Sequence, residues 1–194
     1  MFYSPEDYAD FDYTTHLSAP FRATTILALR HKGHTVIAGD GQVSRGNRVV
    51  KAHAKKIRRA ANGTILAGFA GSAADGISLL ERFEAKVNEY GSNLSKAAVE
   101  LAKDWRSDKI LKKLQAMLIV ASSEHILMIS GNGDVIQPDQ PLIAIGSGGL
   151  YAQSAAIALV EHSDLDAEMI ARSSMNIAAD LCVYTNNNLI VERL

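Results

Sequence analysis

The chain has 194 residues, enough for one domain with a sizeable core, and its 47% hydrophobic and 21% charged residues are typical of a globular protein. A formal net charge of −1 argues against non-specific nucleic-acid binding, and the single cysteine, Cys182, excludes an intrachain disulfide and a cysteine-based metal cluster. No segment approaches the roughly 20 apolar residues that span a bilayer, and the acidic N-terminus fits neither a secretory signal nor a transit peptide. We therefore expect a cytoplasmic protein that binds neither nucleic acid nor a membrane.

The first 23 residues differ in composition from the rest of the chain. Aromatic residues lie among acidic ones, Pro5 and Pro20 interrupt the segment, and no hydrophobic period is sustained. Such a segment is typical of a poorly ordered extension. We therefore divide the chain into an N-terminal extension or propeptide at 1–23 and a single domain at 24–194. A false gene start would give the same N-terminal segment.

The hydrophobic pattern from residue 24 onward predicts a first run of strands. β-branched and apolar residues bounded by turn signals indicate strands at 24–30, 35–38, 48–50, 57–60 and 64–70. Asn62 and Gly63 form a strong hairpin signal between the last two strands. The strand at 64–70 is almost continuously apolar, which predicts a strand buried on both faces.

Two pairs of helices are predicted in the rest of the chain. Apolar residues at helical spacing indicate one helix that carries Ile77 and Val87, and a second that is capped by Ser95 and extends to Leu114. The second half repeats this order, with Asp164 as a helix cap. Its strands are predicted at 117–121, 126–129, 142–145 and 189–192, and its helices at about 151–161 and 166–181.

Strands that come in runs favour antiparallel sheets, and apolar sheets need cover on both faces. The simplest arrangement is two stacked sheets between two helical layers. The sequence therefore predicts an α+β fold of four layers.

Thr24 stands where the composition changes. A threonine hydroxyl is a weak nucleophile unless a base takes its proton. A free α-amino group titrates near about pH 8 and can be that base. Cleavage between Ala23 and Thr24 would therefore give one residue both a nucleophile and a base. A threonine that only begins a strand is the alternative.

Asp40 and Lys56 are charged residues next to predicted strands. Asp40 ends the second strand between glycines, and Lys56 precedes the strand at 57–60. A fixed ammonium group near the amine of Thr24 would lower the pKa of that amine and favour its neutral form. We expect the two residues to form an ion pair there; separately, they are an ordinary turn residue and an ordinary surface charge.

Glycine-rich corners join strands to helices at 68–72 and 146–149. Backbone N–H groups at the start of a helix attract negative charge, so the N–H of Gly71 is a candidate donor to a tetrahedral oxyanion. Close packing that only glycine permits is the alternative explanation.

Long stretches after Ala23 match one known family in order and in spacing. They are TTI at 24–26, VIAGDGQ at 36–42, KKIRR at 55–59, AGFAG at 67–71, KAAVELAKDWRSD at 96–108, ISGNGDVIQP at 129–138 and IAIGSGGLYAQ at 143–153. On these stretches the chain resembles the HslV (ClpQ) family of bacterial proteasome-like threonine peptidases.

The resemblance implies a fold and a role for each matching residue. The fold is the four-layer αββα sandwich of N-terminal-nucleophile hydrolases and proteasome β-subunits. Thr24 would be the nucleophile and N-terminal base, with Asp40 and Lys56 tuning it. Ser147 would lie near the catalytic amine, and the N–H of Gly71 would serve the oxyanion hole.

The resemblance also implies partners and a metal ion. Family members stack as two six-membered rings, cleave unfolded proteins inside, and are activated by HslU, a hexameric AAA+ ATPase. The sequence contains no G-x-x-x-x-G-K-[ST] phosphate loop, so ATP hydrolysis would belong to that partner. Backbone carbonyls of Ala179, Cys182 and Thr185 match a sodium site, with Ala179 where the family often has glycine.

Two departures from the family keep alternatives open. Here 23 residues precede Thr24, whereas family members have little more than a methionine there, and Ser72 stands where a second glycine is frequent. A chain that keeps its extension would be a structural ring subunit without activity. An amidase of the N-terminal-nucleophile class is a further alternative. The glycine corners suggest a nucleotide-binding protein, but no G-x-G-x-x-G follows a first strand.

Overall fold

The structure, a computed structural model, describes residues 21–23, 25–91, 93–109, 111 and 114–194. In these residues, runs of strands alternate with pairs of helices in the predicted order. The strands are β1 (Phe21–Ala23), β2 (Thr25–His31), β3 (His34–Gly39), β4 (Val43–Arg45), β5 (Arg48–Lys51), β6 (Ile57–Ala60), β7 (Ile65–Ser72), β8 (Ala116–Ala121), β9 (Ile126–Ile129), β10 (Val135–Ile136), β11 (Leu142–Gly146) and β12 (Ile190–Arg193). The helices are α1 (Ala73–Glu89), α2 (Leu94–Ser107), α3 (Gly149–His162) and α4 (Ala167–Leu181).

Two antiparallel sheets stack face to face between two helical layers. The described strands of the larger sheet run in the order β10–β9–β8–β7–β1–β4–β5, with β6 also paired to β7, and those of the smaller sheet in the order β11–β2–β3–β12. Helices α1 and α2 cover the larger sheet, and α3 and α4 cover the smaller one. The predicted four-layer αββα sandwich is confirmed.

The alternation of side chains along β2 shows why the layers stack. Leu27 and Leu29 pack against α3 and α4, whereas Ile26 and Ala28 pack between the two sheets. Successive side chains of a strand point to opposite faces, so a strand that is apolar throughout is stable only when both faces are covered. The continuous apolar run at 26–29 therefore places β2 in an inner layer.

Strand β1 differs from the prediction. The N-terminal extension was expected to lack regular structure; residues 1–20 lie outside the described residues, but Phe21–Ala23 form β1 between β4 and β7. Ala23 pairs antiparallel with Gly71 on one side and with Val43 on the other. Strand β1 therefore connects the β4–β5 hairpin to the rest of the larger sheet.

The start and the end of α2 differ from the prediction. Its cap is Asn93, whose side chain accepts a hydrogen bond from the N–H of Lys96 at 3.0 Å, and not Ser95. The helix ends at Ser107 and does not reach Leu114.

Helix α4 is capped by Asp166 and not by Asp164: the Asp166 side chain accepts from the N–H of Met169 at 2.8 Å. The Asn62–Gly63 signal is confirmed, because β6 and β7 pair through a single turn at Ala61–Gly63. In the described part of the chain no helix is long and apolar enough to cross a membrane.

Candidate active site

Asp40 follows β3 directly, and its carboxylate is buried at the centre of a hydrogen-bond network. Oδ1 accepts from Nζ of Lys56 at 2.7 Å and from the backbone N–H of Thr25 at 3.0 Å. Oδ2 accepts from the backbone N–H groups of Gln42 at 2.8 Å and Asn186 at 3.4 Å. These donors replace the water that a buried carboxylate loses. Asp40 therefore holds together four segments that are distant in sequence.

Lys56 is buried beside Asp40, immediately before β6. Only 1% of its side chain is exposed, so the alternative of an ordinary surface charge is wrong and the predicted ion pair is present. Burial lowers the pKa of Lys56 from its usual value, against the opposing attraction of Asp40. The site thus contains an amine held in one place by a buried carboxylate.

The predicted nucleophile, Thr24, lies outside the described residues, but both of its neighbours in the chain are described. Ala23 pairs with Gly71 at the corner between β7 and α1. Thr25 pairs with Gly146 at the corner between β11 and α3. The residues on either side of Thr24 therefore contact the two glycine corners singled out in the sequence.

Gly71 is required by its backbone conformation and by its surroundings. Its φ is +112°, a value that side-chain-bearing residues rarely adopt. A Cβ at this position would lie 2.5 Å from the carbonyl oxygen of Gln115. The packing explanation for this glycine is therefore correct, and it is compatible with a role for the Gly71 N–H. Ser72 caps α1 by accepting from the N–H of Asp75 at 3.5 Å.

Ser147 lies at the second corner, between Gly146, whose φ is +90°, and Gly148. Its side chain is exposed. Because Gly146 is the register partner of Thr25, Ser147 follows that pair by one residue. The serine therefore lies just past the end of β11, next to the first residue of β2.

The hydroxyl of Thr25 belongs to a second buried network. It lies 2.7 Å from the hydroxyl of Thr185 and accepts from the N–H of Gly148 at 3.1 Å. Sequence reasoning missed the roles of Thr25, Gly148 and Asn186. Thr25 had a signal in the matching TTI stretch, and Gly148 had one in the glycine corner at 146–149. Their contacts could not be predicted, because they join segments far apart in the chain.

The predicted sodium ligands lie at the end of α4 and in the loop after it. Cys182 and Thr185 are buried, and Ala179 is half-buried. The carbonyl of Cys182 accepts from the N–H of Thr185 at 2.9 Å, which folds the loop into a turn. Among the described residues, no group of three or more His, Cys, Asp and Glu side chains is placed to hold a metal.

A mainly apolar cleft of about 520 Å³ opens beside Lys56. It lies between β4–β5 and the start of α1, and its lining includes Val43, Ala54, Phe69 and Ile77. Such a cleft fits an apolar side chain next to the charged centre.

Comparison with known proteins agrees with this arrangement. The family described as proteasome subunit matches residues 21–194. A protein of Sulfurihydrogenibium sp. (strain YO3AOP1), named ATP-dependent protease subunit HslV, is 57% identical over 173 residues, covering 89% of this chain and 97% of that protein. The protein of the same name from Aquifex aeolicus (strain VF5) is 54% identical over 173 residues, covering 89% and 98%.

Solved structures show the same relationship. The eukaryotic HslV from Trypanosoma brucei superposes with a TM-score of 0.83 at 48% identity, covering 88% of this chain and 99% of that one. BPH from Thiobacillus denitrificans, solved in complex with epoxomicin, shares the fold at 21% identity, with a TM-score of 0.69 and coverage of 88% and 98%. The chain therefore belongs to the proteasome subunit family, and within it to the threonine peptidase subunits of the HslV type.

Proposed function

We propose that Thr24 is the nucleophile and, once the residues before it are removed, also the base of a peptide-hydrolysing site. The observation that carries this proposal is the buried Asp40–Lys56 pair, which hydrogen-bonds the backbone N–H of Thr25, the residue bonded to Thr24. Thr24 is therefore attached to a fixed point next to a buried amine. A positively charged Lys56 would lower the pKa of the Thr24 amine and keep more of it in the neutral form.

The reaction proceeds in two acyl transfers. The hydroxyl oxygen of Thr24 attacks the peptide carbonyl carbon while its proton passes to the free α-amino group. The C–N bond breaks, the amine gives that proton to the leaving nitrogen, and an ester joins the acyl part of the substrate to Thr24. Water then attacks the ester, loses its proton to the same amine, and releases the acid while the hydroxyl is restored.

Two further residues have placements that support roles in these steps. Gly71 is the register partner of Ala23 and lies near the end of β7, just before α1, and its backbone N–H would stabilise the oxyanion in each transfer. Ser147 is exposed at the other corner, where its hydroxyl would relay a proton to or from the amine.

The substrate is an extended polypeptide, and β1 supports this choice. Its three residues run antiparallel between β4 and β7 and end directly before Thr24. A peptide that takes this position after β1 is removed would pair with both strands by its backbone, without a sequence requirement. The peptide side chain nearest to Thr24 would enter the apolar cleft beside Lys56. An apolar cleft favours cleavage after apolar residues.

Unfolded proteins reach such a site through a separate ATPase. The HslV relatives are named subunits of an ATP-dependent protease, and the sequence of this chain has no phosphate loop. We assign the ATP-driven unfolding to an HslU-type AAA+ hexamer and place the complex in the cytoplasm. Release of protein fragments only when that ATPase and ATP are added would agree with this assignment, and equal release without them would contradict it.

Copies of this chain would form two stacked rings of six. Apolar side chains lie on the outside where the helical pair α3–α4 meets the loop after it: Leu150 is 79% exposed, Leu181 61% and Val183 82%. Large exposed apolar side chains in one region are typical of subunit contacts. A native mass of twelve copies is expected, and a monomeric mass would contradict the ring.

The residues proposed for sodium fit a hard cation. An α-helix leaves its last carbonyl groups unpaired and carries partial negative charge at that end, and Ala179 is within the last turn of α4. The carbonyl of Cys182 accepts one hydrogen bond and has a second lone pair. Because carbonyls are the donors, alanine at 179 is compatible with the site. A bound ion would rigidify the loop that carries Thr185; a melting temperature that is the same in sodium and in choline chloride would contradict binding.

Replacement of Thr24 by alanine tests the function. We expect Thr24→Ala to reduce peptidase activity to background, because it removes the attacking oxygen, and Thr24→Ser to keep a measurable part of it. The measurement is release of a fluorophore from a short peptide, with the intact mass of each protein showing whether the chain begins at residue 24. Undiminished activity of Thr24→Ala would end the proposal.

The second candidate function is a structural ring subunit that does not cleave. The observation in its favour is β1 itself, which lies where a substrate strand would lie. An intact mass that retains residues 1–23, together with assembly into rings and no peptidase activity, would establish this alternative.

A further inference from the structure

Thr25 is fully buried, and both its backbone and its side chain are fixed. Its N–H donates to Asp40, while its hydroxyl accepts from Gly148 N–H at 3.1 Å and pairs with the hydroxyl of Thr185 at 2.7 Å. The catalytic steps above use neither hydroxyl. A pair of buried hydroxyls one residue from the nucleophile therefore needs a separate explanation.

The packing around Gly148 shows that this corner is built around the two hydroxyls. A Cβ at Gly148 would lie 2.4 Å from Oγ1 of Thr185 and 2.6 Å from Oγ1 of Thr25. Only a residue without a side chain leaves room for both oxygens. The conformation of Gly148 is an ordinary one, with φ at −86°, so the glycine is required by these contacts and not by its backbone angles.

The loop that carries Thr185 is itself held against the Asp40 region. The side chain of Asn186 accepts from the N–H of Gly41 at 3.1 Å and donates to the carbonyl of Ala52 at 3.0 Å. The loop that carries Thr185 is thus fixed in position by the contacts of Asn186.

We propose that Thr25 and Thr185 form a positioning pair that aims Thr24 at the substrate carbonyl. The proposal rests on the function assigned to Thr24. Asp40 fixes the N–H of Thr25, and because the peptide group is planar this orients the bond to Thr24. The hydroxyl contacts fix the side chain of Thr25, so that its backbone N–H and its side chain are both held in place. Thr25 and Thr185 touch no reacting atom and are positioning residues.

Loss of the Thr25–Thr185 pair should slow the chemical step. Displacement of a reacting group by about 1 Å can cost on the order of 10²-fold in rate. An extended peptide would bind to β4, β7 and the cleft, and the described hydrogen bonds of the two hydroxyls go to each other and to Gly148 and not to these elements. Loss of the pair should therefore lower kcat and leave KM nearly unchanged.

The test uses valine variants, which keep the side-chain shape and remove the hydroxyl. We expect Thr25→Val and Thr185→Val each to lower kcat about 10- to 100-fold, and the double variant to lose no more than either single one, because the pair acts as a unit. Thr25→Ser and Thr185→Ser keep the hydroxyl and should restore most of the rate. Activity is expressed per chain that begins at residue 24, counted by intact mass.

Thr35→Val is the matched control. Thr35 lies on β3, is as buried as Thr25, and its hydroxyl has no hydrogen-bond partner among the described residues, so its removal should leave kcat unchanged. Valine variants at 25 and 185 with kcat within about twofold of this control would overturn the proposal. A loss that disappears when the assay is run well below the melting temperature would also overturn it, since it would reflect stability alone.

The two hypotheses fail separately. An active Thr24→Ala variant refutes the proposed nucleophile, whatever the threonine pair does. An inactive Thr24→Ala variant together with fully active valine variants refutes only the positioning pair.

Discussion

Lys56 has one charged partner among the described residues, Asp40 at 2.7 Å, and both side chains are almost completely buried. An exposed pair of the same length lies elsewhere on the surface, where Arg59 contacts Glu192 at 2.7 Å with side-chain exposures of 42% and 34%. Water screens and solvates the exposed pair but has no access to the buried one. The chain therefore contains two ion pairs of equal length in opposite environments.

We expect Lys56→Met to destabilise the protein by about 3–5 kcal/mol, because it leaves the Asp40 carboxylate buried without its cation. The free energy of unfolding is measured in urea. Adding Asp40→Asn to the same chain should recover part of the loss, since the remaining group is then neutral.

The control is Arg59→Met, which should change the free energy of unfolding by about 0–1 kcal/mol. If Lys56→Met and Arg59→Met lowered the free energy of unfolding equally, burial would not set the strength of the Asp40–Lys56 pair. Peptidase activity should fall in Lys56→Met and persist in Arg59→Met, because only Lys56 lies next to the site.

The sequence predicted part of this site because some of its residues have local signals. An acid between glycines at the end of a strand, and a lysine before a buried strand, are visible in the printed letters. The hydroxyl contact of Thr185 with Thr25 and the contacts of Asn186 are not, since they cross more than a hundred residues. Such contacts exist only once the strands and helices have packed.

At the scale of elements, the inner strands and several four-residue strands were predictable, and the strands of two or three residues, β1, β4 and β10, were not. An inner strand such as β2 is apolar on both faces, which is a property of its own residues. Strands β1 and β4 have three residues each and are strands only because of their pairing: β1 pairs with β4 and β7, and β4 pairs with β1 and β5. Leu114 was wrongly included in α2: it follows Trp105 by nine residues (114 − 105 = 9), about two and a half helical turns, so one helix would have placed the two on opposite faces.

Gly71 gives a prediction at this scale, because it is the next-to-last residue of β7, where the chain turns into α1. We expect Gly71→Ala to cost about 1–2 kcal/mol for its positive φ and about 1–3 kcal/mol more for the clash with the Gln115 carbonyl. Peptidase activity should fall by about 10²-fold or more as the backbone N–H moves.

The variant Gly33→Ala separates the cost of a positive φ from the cost of the steric clash. Gly33 also has a positive φ, +81°, but nothing lies within 4 Å of a Cβ placed there. This variant should show only the conformational cost in urea unfolding and full activity. A Gly71→Ala protein as stable and as active as Gly33→Ala would contradict the role of close packing at the corner.

At the scale of the whole molecule, the two inner sheets provide a common support for residues that are far apart in sequence. Asp40 leaves β3, Thr25 begins β2 and Gly148 follows β11, and all three strands belong to the smaller sheet. Lys56 immediately precedes β6, and Gly71 lies in β7, both strands of the larger sheet. The site thus lies across the interface between the sheets, and its geometry depends on how they stack.

Strand β1 has a consequence for the proposed mature form. With the residues before Thr24 removed, β4 and the end of β7 would face each other across the width of one missing strand, with backbone groups on both edges unpaired. Exchange of amide hydrogens for deuterium should therefore be slow on the β1 side of β4 in the precursor, fast in the mature form, and slow again when an unreactive peptide is bound. Equal exchange in all three states would show that the β4–β5 hairpin closes the gap by itself. If the expected pattern is found, amide exchange at residues 43–45 reports directly how often a working subunit holds a polypeptide.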